Sequence, residues 1–596
     1  MTPGGARPEG PPGVRRSFVE EQYPAWVRNN RLRPSDLRRM RHEAESFSYK
    51  PLISVVLPVY NPDEGWLEGA LDSVLGQVYP NWELCVRDDA SIREHVRETL
   101  SRYEKLDGRI KVGRGKENLG ICGASNAALS MAGGEFVALL DHDDELAPDA
   151  LFEVVKLLQE HPESDLIYTD EDMMDEAGNR FGPRFKPDWS PEMLLALNYV
   201  IHLSVYRRSL LEEIEGFRPG FEGSQDYDLV LRFTEKTDKT FHIPKVLYHW
   251  KAVTGSVAAD VGAKPQTHER TRRALEEALV RRGLEGSVED EFYHSVFRAK
   301  LKIAGSPKVS VIITTQDDHA SLNRCIKSIE TLTTHRNYEI LIVDTGDTDP
   351  ARSEYPDSLP YRVVRASENH SGAVNLAASH AEGDYLLFLG GSAEVISDGW
   401  MEAMLEHAQR PEIGPVGARL RYPDSDGRLC HAGVILCADA ADNAHCFYPA
   451  DYPGYLGATL LPRNFSAVSG ACMMVRKEIF EEAGGFDEKN LPDAYNDVDL
   501  CLRLGEHGYR TVYTPYAELR YCETSLRKPD PEESWYMRDR WGEVLENDPY
   551  YNPNFSLADG SYNLCADALR PEVLRDGGEE EVDARSSRWN GLLPRR

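Results

Sequence analysis

A long internal repeat constrains the fold of this chain more than any other feature. The apolar run at residues 53–59 returns at 309–315, and QDYDLVLR at 225–232 returns as NDVDLCLR at 496–503. Solenoid repeats have periods of about 20 to 50 residues. The two copies here lie several times further apart, so the sequence predicts two duplicated domains in tandem.

The two copies differ in their acidic residues. Residues 140–145 of the first copy read LDHDDE, whereas the matching residues 389–394 of the second read LGGSAE. Asp141, Asp143 and Asp144 therefore have no acidic counterparts in the second copy. This difference indicates a site that the first copy has kept and the second has lost.

Composition limits the class of protein. With 596 residues, 41 % of them hydrophobic, the chain is long enough for roughly two to four globular domains. Its formal net charge of −31 argues against nucleic acid as a partner, because phosphate binding requires clustered Lys and Arg. The ten cysteines form no CxxC pair, a pattern typical of reduced thiols in the cytoplasm.

The termini and hydropathy predict a cytoplasmic protein that is at most peripheral to a membrane. No apolar run approaches the roughly 18 residues that a membrane-spanning helix needs, and the start lacks an apolar signal segment. Residues 1–50 form an extension, disordered at first and then basic and helical near 35–47, with ten Lys and Arg against six Asp and Glu. One interpretation is contact with anionic lipid at the inner face of the plasma membrane. The interpretation we favour is packing on the first domain through Trp26, Leu37, Met40 and Phe47.

Alternating strand and helix patterns predict two α/β domains with mainly parallel sheets flanked by helices. The domains span 51–290 and 307–560, with a linker at 291–306 and a tail at 561–596. Predicted strands are 53–59, 82–87, 135–140, 309–315, 338–343 and 384–389. Predicted helices are 66–75, 93–105, 121–132, 149–160, 321–330, 372–380 and 398–408.

Polar residues of the first domain follow its predicted strands, where ligands of open α/β sheets bind. Pro58 and Tyr60 end the first strand, Asp88 and Asp89 end the second, and the 141–144 cluster ends a later one. Adjacent carboxylates repel one another unless a cation lies among them, and such oxygen ligands suit Mg²⁺ or Mn²⁺. Alternatively, Asp144 or Asp149 caps the helix that follows.

The order of the motifs in residues 51–260 resembles that of family 2 glycosyltransferases with the GT-A fold. The nearest resemblance is to bacterial enzymes that assemble O-antigen and other surface polysaccharides. The motifs are PVYN at 58–61, DDAS at 88–91, ENLG at 117–120, DHDD at 141–144, YTDED at 168–172, KPDWSP at 186–191, GSQDYDL at 223–229 and YHW at 248–250.

The resemblance implies a donor site for a nucleotide-diphospho-sugar. Asp88 or Asp89 would accept from the nucleotide base, close to Pro58 and Tyr60, and Asn118 of the ENLG motif would also bind the donor. Asp141 would hold the ribose as well as the metal.

The resemblance also implies a metal site and a catalytic base. Asp141 and Asp143 would hold Mg²⁺ or Mn²⁺ bridging the diphosphate, and His249 would reach the same ion. Asp226 would take the proton from an acceptor hydroxyl, and direct displacement would invert the anomeric configuration. The alternative for Asp226 is a carboxylate that favours the start of its helix, and for His249 a partly buried histidine without a ligand role.

The second copy also resembles family 2 but departs from it at the metal site. The segments VDTGDTD at 343–349 and NDVDLCLR at 496–503 are recognisable, whereas Gly390-Gly391-Ser392 stands where the subtype has the triplet NND. The expected histidine is replaced by Arg520 or Tyr521, depending on an offset of one residue. Candidate site residues in this copy are Asp344, Glu394 and Asp497.

Three interpretations of the second copy follow. It is an inactive copy kept for scaffolding, pairing or glycan binding, or it transfers sugar without metal using Arg520, or it binds metal through Glu394. The sequence favours the inactive copy. Together with the resemblance of the first domain, this predicts one inverting, metal-dependent transferase domain that acts on a glycan or lipid-linked glycan. The rivals are a bifunctional transferase and a non-enzymatic protein that binds nucleotide sugars or glycans.

Overall fold

The computed structural model describes most of the chain, including both repeats. The described residues are 18–252, 265–291, 296–315, 318–345, 361–365, 369–423, 427–437, 440–521, 529–558 and 560–565. The predicted disordered start, the acidic end of the tail and most of the VDTGDTD segment lie outside these residues.

The first domain is built on one mixed sheet. Its strands are β1 Ile53–Val59, β2 Trp82–Asp88, β3 Ile110–Arg114, β4 Phe136–Leu139, β5 Glu145–Leu146, β6 Leu166–Met174, β7 Arg180–Arg184, β8 Ser204–Arg207 and β9 Thr240–Lys251. They lie in the order β3-β2-β1-β4-β8-β6-β9-β5, with β7 paired to β6. Strands β3, β2, β1 and β4 are parallel, and β8 runs antiparallel to both of its neighbours.

Helices cover this sheet, and two of them precede its first strand in the chain. They are α1 Phe18–Asn29, α2 Pro34–Ser46, α3 Glu64–Leu75, α4 Glu94–Leu106, α5 Gly120–Leu129, α6 Ala150–Glu160, α7 Pro191–Leu194, α8 Arg208–Glu213, α9 Gln225–Phe233 and α10 Pro265–Arg281. The hairpin of β10 Gly286–Asp290 and β11 Phe297–Leu301 follows, so part of the predicted 291–306 linker is a strand.

The second domain repeats the arrangement. Its strands are β12 Val309–Thr315, β13 Tyr338–Asp344, β14 Arg362–Arg365, β15 Tyr385–Gly390, β16 Ala393–Val395, β17 Ile413–Arg421, β18 Leu429–His431, β19 Val434–Cys437, β20 Ala440–Asn443, β21 Arg463–Asn464, β22 Cys472–Arg476 and β23 Arg510–Tyr521. Its helices are α11 His319–Leu332, α12 His370–His380, α13 Trp400–Ala408, α14 Lys477–Glu482, α15 Asn496–Glu506 and α16 Pro531–Glu546.

The main sheet of the second domain has the same strand order as the first. Its path is β14-β13-β12-β15-β22-β17-β23-β16, in which each strand takes the place of one strand of the first path. Strand β1 is buried along its whole length. A continuous β-branched and aliphatic run of this kind is typical of a strand whose sheet is covered on both faces. The predicted fold class, two tandem α/β domains, is confirmed.

The residues that the two copies share hold the scaffold together. The Ser54 hydroxyl donates to Glu83 at 2.7 Å and accepts from the Gly134 N–H, and Ser310 makes the same two bonds with Glu339 and Gly383. These matched polar contacts fix the loops that lead into one central strand of each sheet, after Gly134 in the first domain and after Gly383 in the second.

Two further repeated motifs act in the same way. The Asn126 amide binds both backbone groups of Phe217, at 2.7 and 2.8 Å, and Asn375 binds Phe486 at 2.9 and 2.9 Å. Arg232 and Arg503 each bond an aspartate one turn earlier and two backbone carbonyls. Much of the repeated sequence therefore encodes the fold and not the chemistry.

The second domain and α1 are joined to the first domain through buried polar contacts. The Asn552 amide donates to Asp170 at 2.9 Å and to the Lys186 carbonyl at 2.9 Å. On α1, the Trp26 indole donates to Asn554 at 3.2 Å and its ring packs on Phe185. The described part of the N-terminal extension is thus packed against both domains.

The buried Glu192 carboxylate links the domains electrostatically. It lies 3.1 Å from Arg410 and 3.2 Å from Arg510, both of the second domain. Burial raises the pKa of Glu192, but the two arginines outweigh burial and lower it to about 2. The stabilisation is complete above the ordinary glutamate pKa and is lost as the pH falls towards 2.

We expect Glu192→Ala to destabilise the chain by about 3 kcal/mol, because it leaves the buried Arg410 and the partly buried Arg510 with one carboxylate fewer. Urea unfolding at neutral pH measures the effect. The control is Glu212→Ala, which removes a more exposed ion pair with Arg208 and should cost under about 1 kcal/mol. Equal costs for the two variants would contradict a structural role for the Glu192 cluster.

Within the described residues, none of the helices combines the length and the apolar character that crossing a bilayer requires.

Candidate functional site

A small pocket opens at the carboxyl ends of β1 and β4, where the strand order changes direction. Pro58 from β1, Asp141 after β4, His202 before β8, and Gln225 and Asp226 from the start of α9 all line it. Residues far apart in the sequence therefore meet at the edge of the sheet where ligands of open α/β folds bind.

Asp141 and His202 form an ion pair in this pocket. Their side chains are 3.5 Å apart, and Asp141 is 43 % exposed whereas His202 is 5 % exposed. Burial opposes ionisation of both groups, but their interaction outweighs it. The pKa of Asp141 is lowered, and that of His202 is raised to about 9. Asp141 is therefore an ionised carboxylate that remains accessible from the pocket.

The other two carboxylates of the cluster differ in their surroundings. Asp144 is buried and accepts from the Tyr248 hydroxyl at 2.7 Å and the Lys251 N–H at 2.8 Å. Asp143 is only half-buried, and burial together with Asp141 raises its pKa. The Asp149 side chain makes no capping bond to α6. Asp144 thus ties β9 to the cluster, and Asp141 and Asp143 remain as the ligand candidates.

Asp226 lies in the first turn of α9. Its carboxylate accepts from the Gln225 amide at 2.8 Å. The pKa of Asp226 is raised to about 6, mainly by burial. The nearby His202 lowers this pKa, whereas Asp141 raises it further. Such a group can exchange a proton near neutral pH, as a general base must.

His249 lies on β9 and pairs directly with Glu145. Glu145 follows Asp143 by two positions in the sequence. Its Nδ1 is 2.6 Å from a carboxylate oxygen of Asp172. The ring is therefore held by a carboxylate, as ligating histidines of metal sites commonly are.

The predicted donor residues lie beside the pocket, at the ends of β1 and β2. The Asp89 carboxylate accepts from the Leu119 and Gly120 N–H groups at 2.9 and 3.0 Å, and Asp88 accepts from the Ser91 N–H at 3.0 Å. Both aspartates thus order loops at this edge of the sheet.

The remaining donor candidates lie around these loops. The Asn118 amide oxygen accepts from Gly120 at 3.0 Å, Pro58 is buried, and Tyr60 is 47 % exposed. An exposed aromatic ring beside ordered polar loops is suited to contact with a planar base.

In the second domain, a side chain at the position of Asp141 would meet an aromatic ring. A Cβ atom on Gly390 would lie 2.7 Å from the Tyr521 ring. Since Gly390 takes the place of Asp141 in the repeat, an acidic side chain there would require the Tyr521 ring to move.

Strand pairing resolves which residue replaces the histidine. Glu145 pairs with His249 in the first sheet, and Glu394 pairs with Arg520 in the second, so Arg520 stands in the place of His249. The offset that the sequence left open is thereby settled.

The three candidates of the second domain take part in local contacts. Glu394 forms an ion pair with Arg324 at 2.8 Å, and Asp497 accepts from Gly470 and Val498 N–H groups at 2.7 and 2.8 Å. Asp344 is buried at the end of β13. Asp497 differs from Asp226, because backbone donors engage both of its oxygens.

Sequence reasoning missed two residues of the site. His202 is a single histidine in a segment without any metal-ligand spacing, so no local pattern marked it. Asp172 belongs to the YTDED motif, which was recognised but given no role.

The first site fits a divalent ion shared with phosphate. Among the described residues, no three His, Cys, Asp or Glu side chains converge closely enough to hold a metal alone. Mg²⁺ sites in particular use one or two carboxylates and complete the shell with water and substrate phosphates. Asp141 and Asp143 are the carboxylates that would hold such an ion here.

Comparison with known proteins agrees with this architecture. The chain is 41 % identical over 536 residues to the uncharacterized protein y4gI of Sinorhizobium fredii. It is 36 % identical over 552 residues to the O-antigen biosynthesis protein RfbC of Myxococcus xanthus. These matches cover 87 % and 90 % of the chain but 59 % and 42 % of the relatives, so the chain spans about half their length.

A solved structure of S. aureus TarS 1-349 in complex with UDP-GlcNAc aligns at 24 % identity with a TM-score of 0.32. It covers 38 % of this chain and 66 % of that chain, a similarity too low to add to the assignment. The sequence model of glycosyl transferase family 2 matches residues 54–215 and again 310–484. Because these matches cover both repeats and more than half of the residues, the chain belongs to glycosyl transferase family 2.

Proposed function

We propose that the first domain transfers a sugar from a nucleotide-diphospho-sugar to a hydroxyl group of a glycan or lipid-linked glycan. The reaction belongs to the assembly of a bacterial surface polysaccharide. The observation that carries the proposal is the pocket where Asp141, His202 and Asp226 meet at the carboxyl edge of the first sheet. The similarity to a protein named for O-antigen biosynthesis supports the acceptor class.

Asp226 acts as the general base in this proposal. A sugar hydroxyl has a very high pKa, so a positioned carboxylate must take its proton as the new glycosidic bond forms. The oxygen then attacks the anomeric carbon from the face opposite the leaving nucleoside diphosphate. One displacement without a protein nucleophile inverts the configuration.

Asp141, Asp143 and His249 would hold Mg²⁺ or Mn²⁺ beside the donor diphosphate. When bound, the ion supplies Lewis-acid stabilisation of the negative charge on the leaving group. Asp88, Asp89, Asn118, Pro58 and Tyr60 bind and orient the nucleotide. Asp144 and Tyr248 keep the cluster in place through their buried hydrogen bond.

The second domain is proposed to be inactive as a transferase. The Tyr521 ring beside Gly390, and the backbone donors on both oxygens of Asp497, support this part of the proposal. A bifunctional enzyme that used metal in both domains would need a second accessible carboxylate cluster at this edge.

The raised pKa of Asp226 predicts a pH dependence of transfer. The base works only when ionised, so kcat/KM should fall about tenfold for each pH unit below about 6 and level off above it. Initial rates with saturating metal, measured from about pH 5 to about pH 7, test the prediction. A rate that stays constant over this range would contradict Asp226 as the base.

The function itself is tested by turnover of nucleotide sugars. A panel of UDP-, dTDP- and GDP-sugars is incubated with the full-length chain, a glycolipid fraction and either Mn²⁺ or EDTA. Metal-stimulated release of the nucleoside diphosphate, with sugar recovered on the acceptor, is the expected result. Saturable donor binding without any turnover would favour a non-enzymatic binding protein.

A further inference from the structure

Two recognised motifs, YTDED and KPDWSP, meet at a buried ion pair that has no part in the proposed reaction. Glu171 of the first motif and Lys186 of the second lie 2.9 Å apart, and their side chains are 2 % and 1 % exposed. Burying two charges costs free energy, which such a pair recovers only with good geometry and further hydrogen bonds. The further hydrogen bonds of this pair all go to one segment.

The Lys186 ammonium group holds the segment that carries His202. Residues 197–203, between α7 and β8, form neither helix nor strand, so their backbone groups need partners from elsewhere. An ammonium group has three N–H donors. One donates to Glu171, and the other two donate to the carbonyls of Val200 at 2.9 Å and His202 at 2.6 Å. Glu171 also accepts from the His202 N–H at 3.2 Å.

His202 is the residue of this segment that reaches deepest into the chemistry of the first site. It lines the pocket together with Asp141 and Asp226, and its side chain lies 3.5 Å from Asp141. The ion pair bonds both of its backbone groups, the N–H and the carbonyl. A misplacement of about 1 Å in an active site can lower a rate by about 10²-fold. The backbone that the pair fixes is therefore one whose position affects the reaction.

The second domain holds the backbone from which the Lys186 side chain extends. The Tyr455 hydroxyl accepts from the Phe185 N–H at 2.9 Å and donates to the Pro183 carbonyl at 2.8 Å. The Asn552 amide donates to the Lys186 carbonyl at 2.9 Å. The ammonium group thus extends from a backbone that is itself restrained.

The second copy folds without a carboxylate at the place of Glu171. In the first sheet Glu171 pairs with Tyr248. Leu519, the residue before Arg520, is the counterpart of Tyr248 and pairs with Leu420. Leu420 therefore stands in the place of Glu171, although the two sheets have the same strand order. The fold does not require the carboxylate, which points to a role at the first site.

We propose that Lys186 is a positioning residue of the first site, whose ammonium group fixes the backbone of His202 and with it the place of the imidazole ring beside Asp141. Lys186 is buried and all three of its N–H groups are used, so it acts only through the groups that it bonds. The inference rests on the proposed function, because it takes this pocket to be the place of sugar transfer.

The test is a double-mutant cycle for sugar transfer by the full-length chain, with the panel of UDP-, dTDP- and GDP-sugars and the glycolipid fraction. Lys186→Met keeps the length of the side chain and removes its N–H groups, and His202→Gln removes the imidazole ring. We expect each change to lower kcat/KM by about 10²-fold. Because Lys186 acts through His202, the double variant should also lie only about 10²-fold below the unmodified chain.

Other results of the cycle would overturn the proposal. Independent roles would place the double variant about 10⁴-fold below the unmodified chain, the product of the two effects. Full activity of folded Lys186→Met, or of His202→Gln, would equally exclude the positioning role. If the unmodified chain transfers sugar from no member of the panel, the proposed function is wrong and the inference falls with it.

Lys111→Met is the matched control. Lys111 forms an ion pair with Glu83 at 2.6 Å, near the amino ends of β3 and β2 and therefore at the edge of the sheet away from the pocket. The change should leave kcat/KM as it is in the unmodified chain. A loss equal to that of Lys186→Met would overturn the proposal, since the effect would not be specific to the pocket.

Hydrogen exchange, followed by mass spectrometry, tests the contact with the segment directly. The amides of residues 197–203 should lose protection in Lys186→Met and keep it in Lys111→Met. Should Lys186→Met fail to fold, its combination with Glu171→Gln takes its place, because neither buried charge is then left without the other. Unchanged protection of the segment in the folded variant overturns the proposal.

Discussion

Asp226→Asn is expected to lower kcat for sugar transfer by about 10²- to 10⁴-fold, the usual contribution of a general base. The amide has nearly the same shape as the carboxylate but cannot accept the proton of the acceptor hydroxyl. Donor affinity should remain close to that of the unmodified chain, because the bond from Gln225 can be kept. Steady-state rates and calorimetric titration with the donor measure the two quantities separately.

Asp497→Asn provides the matched control for this prediction. It makes the same change at the corresponding position of the second domain, where the carboxylate is engaged by backbone donors. Transfer by this variant should continue at the normal rate. A marked loss of donor affinity in Asp226→Asn, or a loss of transfer in Asp497→Asn, would contradict the assigned roles.

Asp143→Ala is expected to remove the metal dependence of donor binding. Losing a group that merely orients a ligand weakens metal affinity by about 10–100-fold, so losing a ligand should cost at least about 100-fold. Calorimetric titration of the donor with Mn²⁺ and with EDTA should then give similar weak affinities. In the unmodified chain the two affinities should differ widely.

Ser392→Ala is the control for Asp143→Ala, since Ser392 takes its place in the second copy. We expect no change in donor affinity or transfer rate. A large effect of Ser392→Ala would show that the second domain binds donor, and the proposed inactivity of that domain would be wrong.

The sequence predicted the sheets well because their apolar runs are unambiguous. Strands β1 and β12 were predicted to the residue, since buried parallel strands require continuous β-branched and aliphatic residues. Helix α1 was not predicted, because Pro24 interrupts its pattern and its apolar residues face two domains at once.

The carboxylates of the site were also found from sequence, whereas their partners were not. Asp141 and Asp226 stand in recognisable motifs, and the structure brings them to one pocket. The contact between Tyr23 and Asp172 joins residues too far apart for any local pattern to show. Partners of this kind are determined by packing, which only the folded chain displays.

The bond from Asn552 to Asp170 has a consequence for how the duplicated gene can evolve. A mutation of Ser392 or Asp497 in the second copy has no cost for catalysis if that copy is inactive, so such residues can change freely. A mutation of Asn552 removes one buried donor from Asp170, deep in the other copy, which then keeps its bond from the Lys186 N–H. Selection should therefore preserve the second copy at its border with the first, whatever happens at the edge of its sheet.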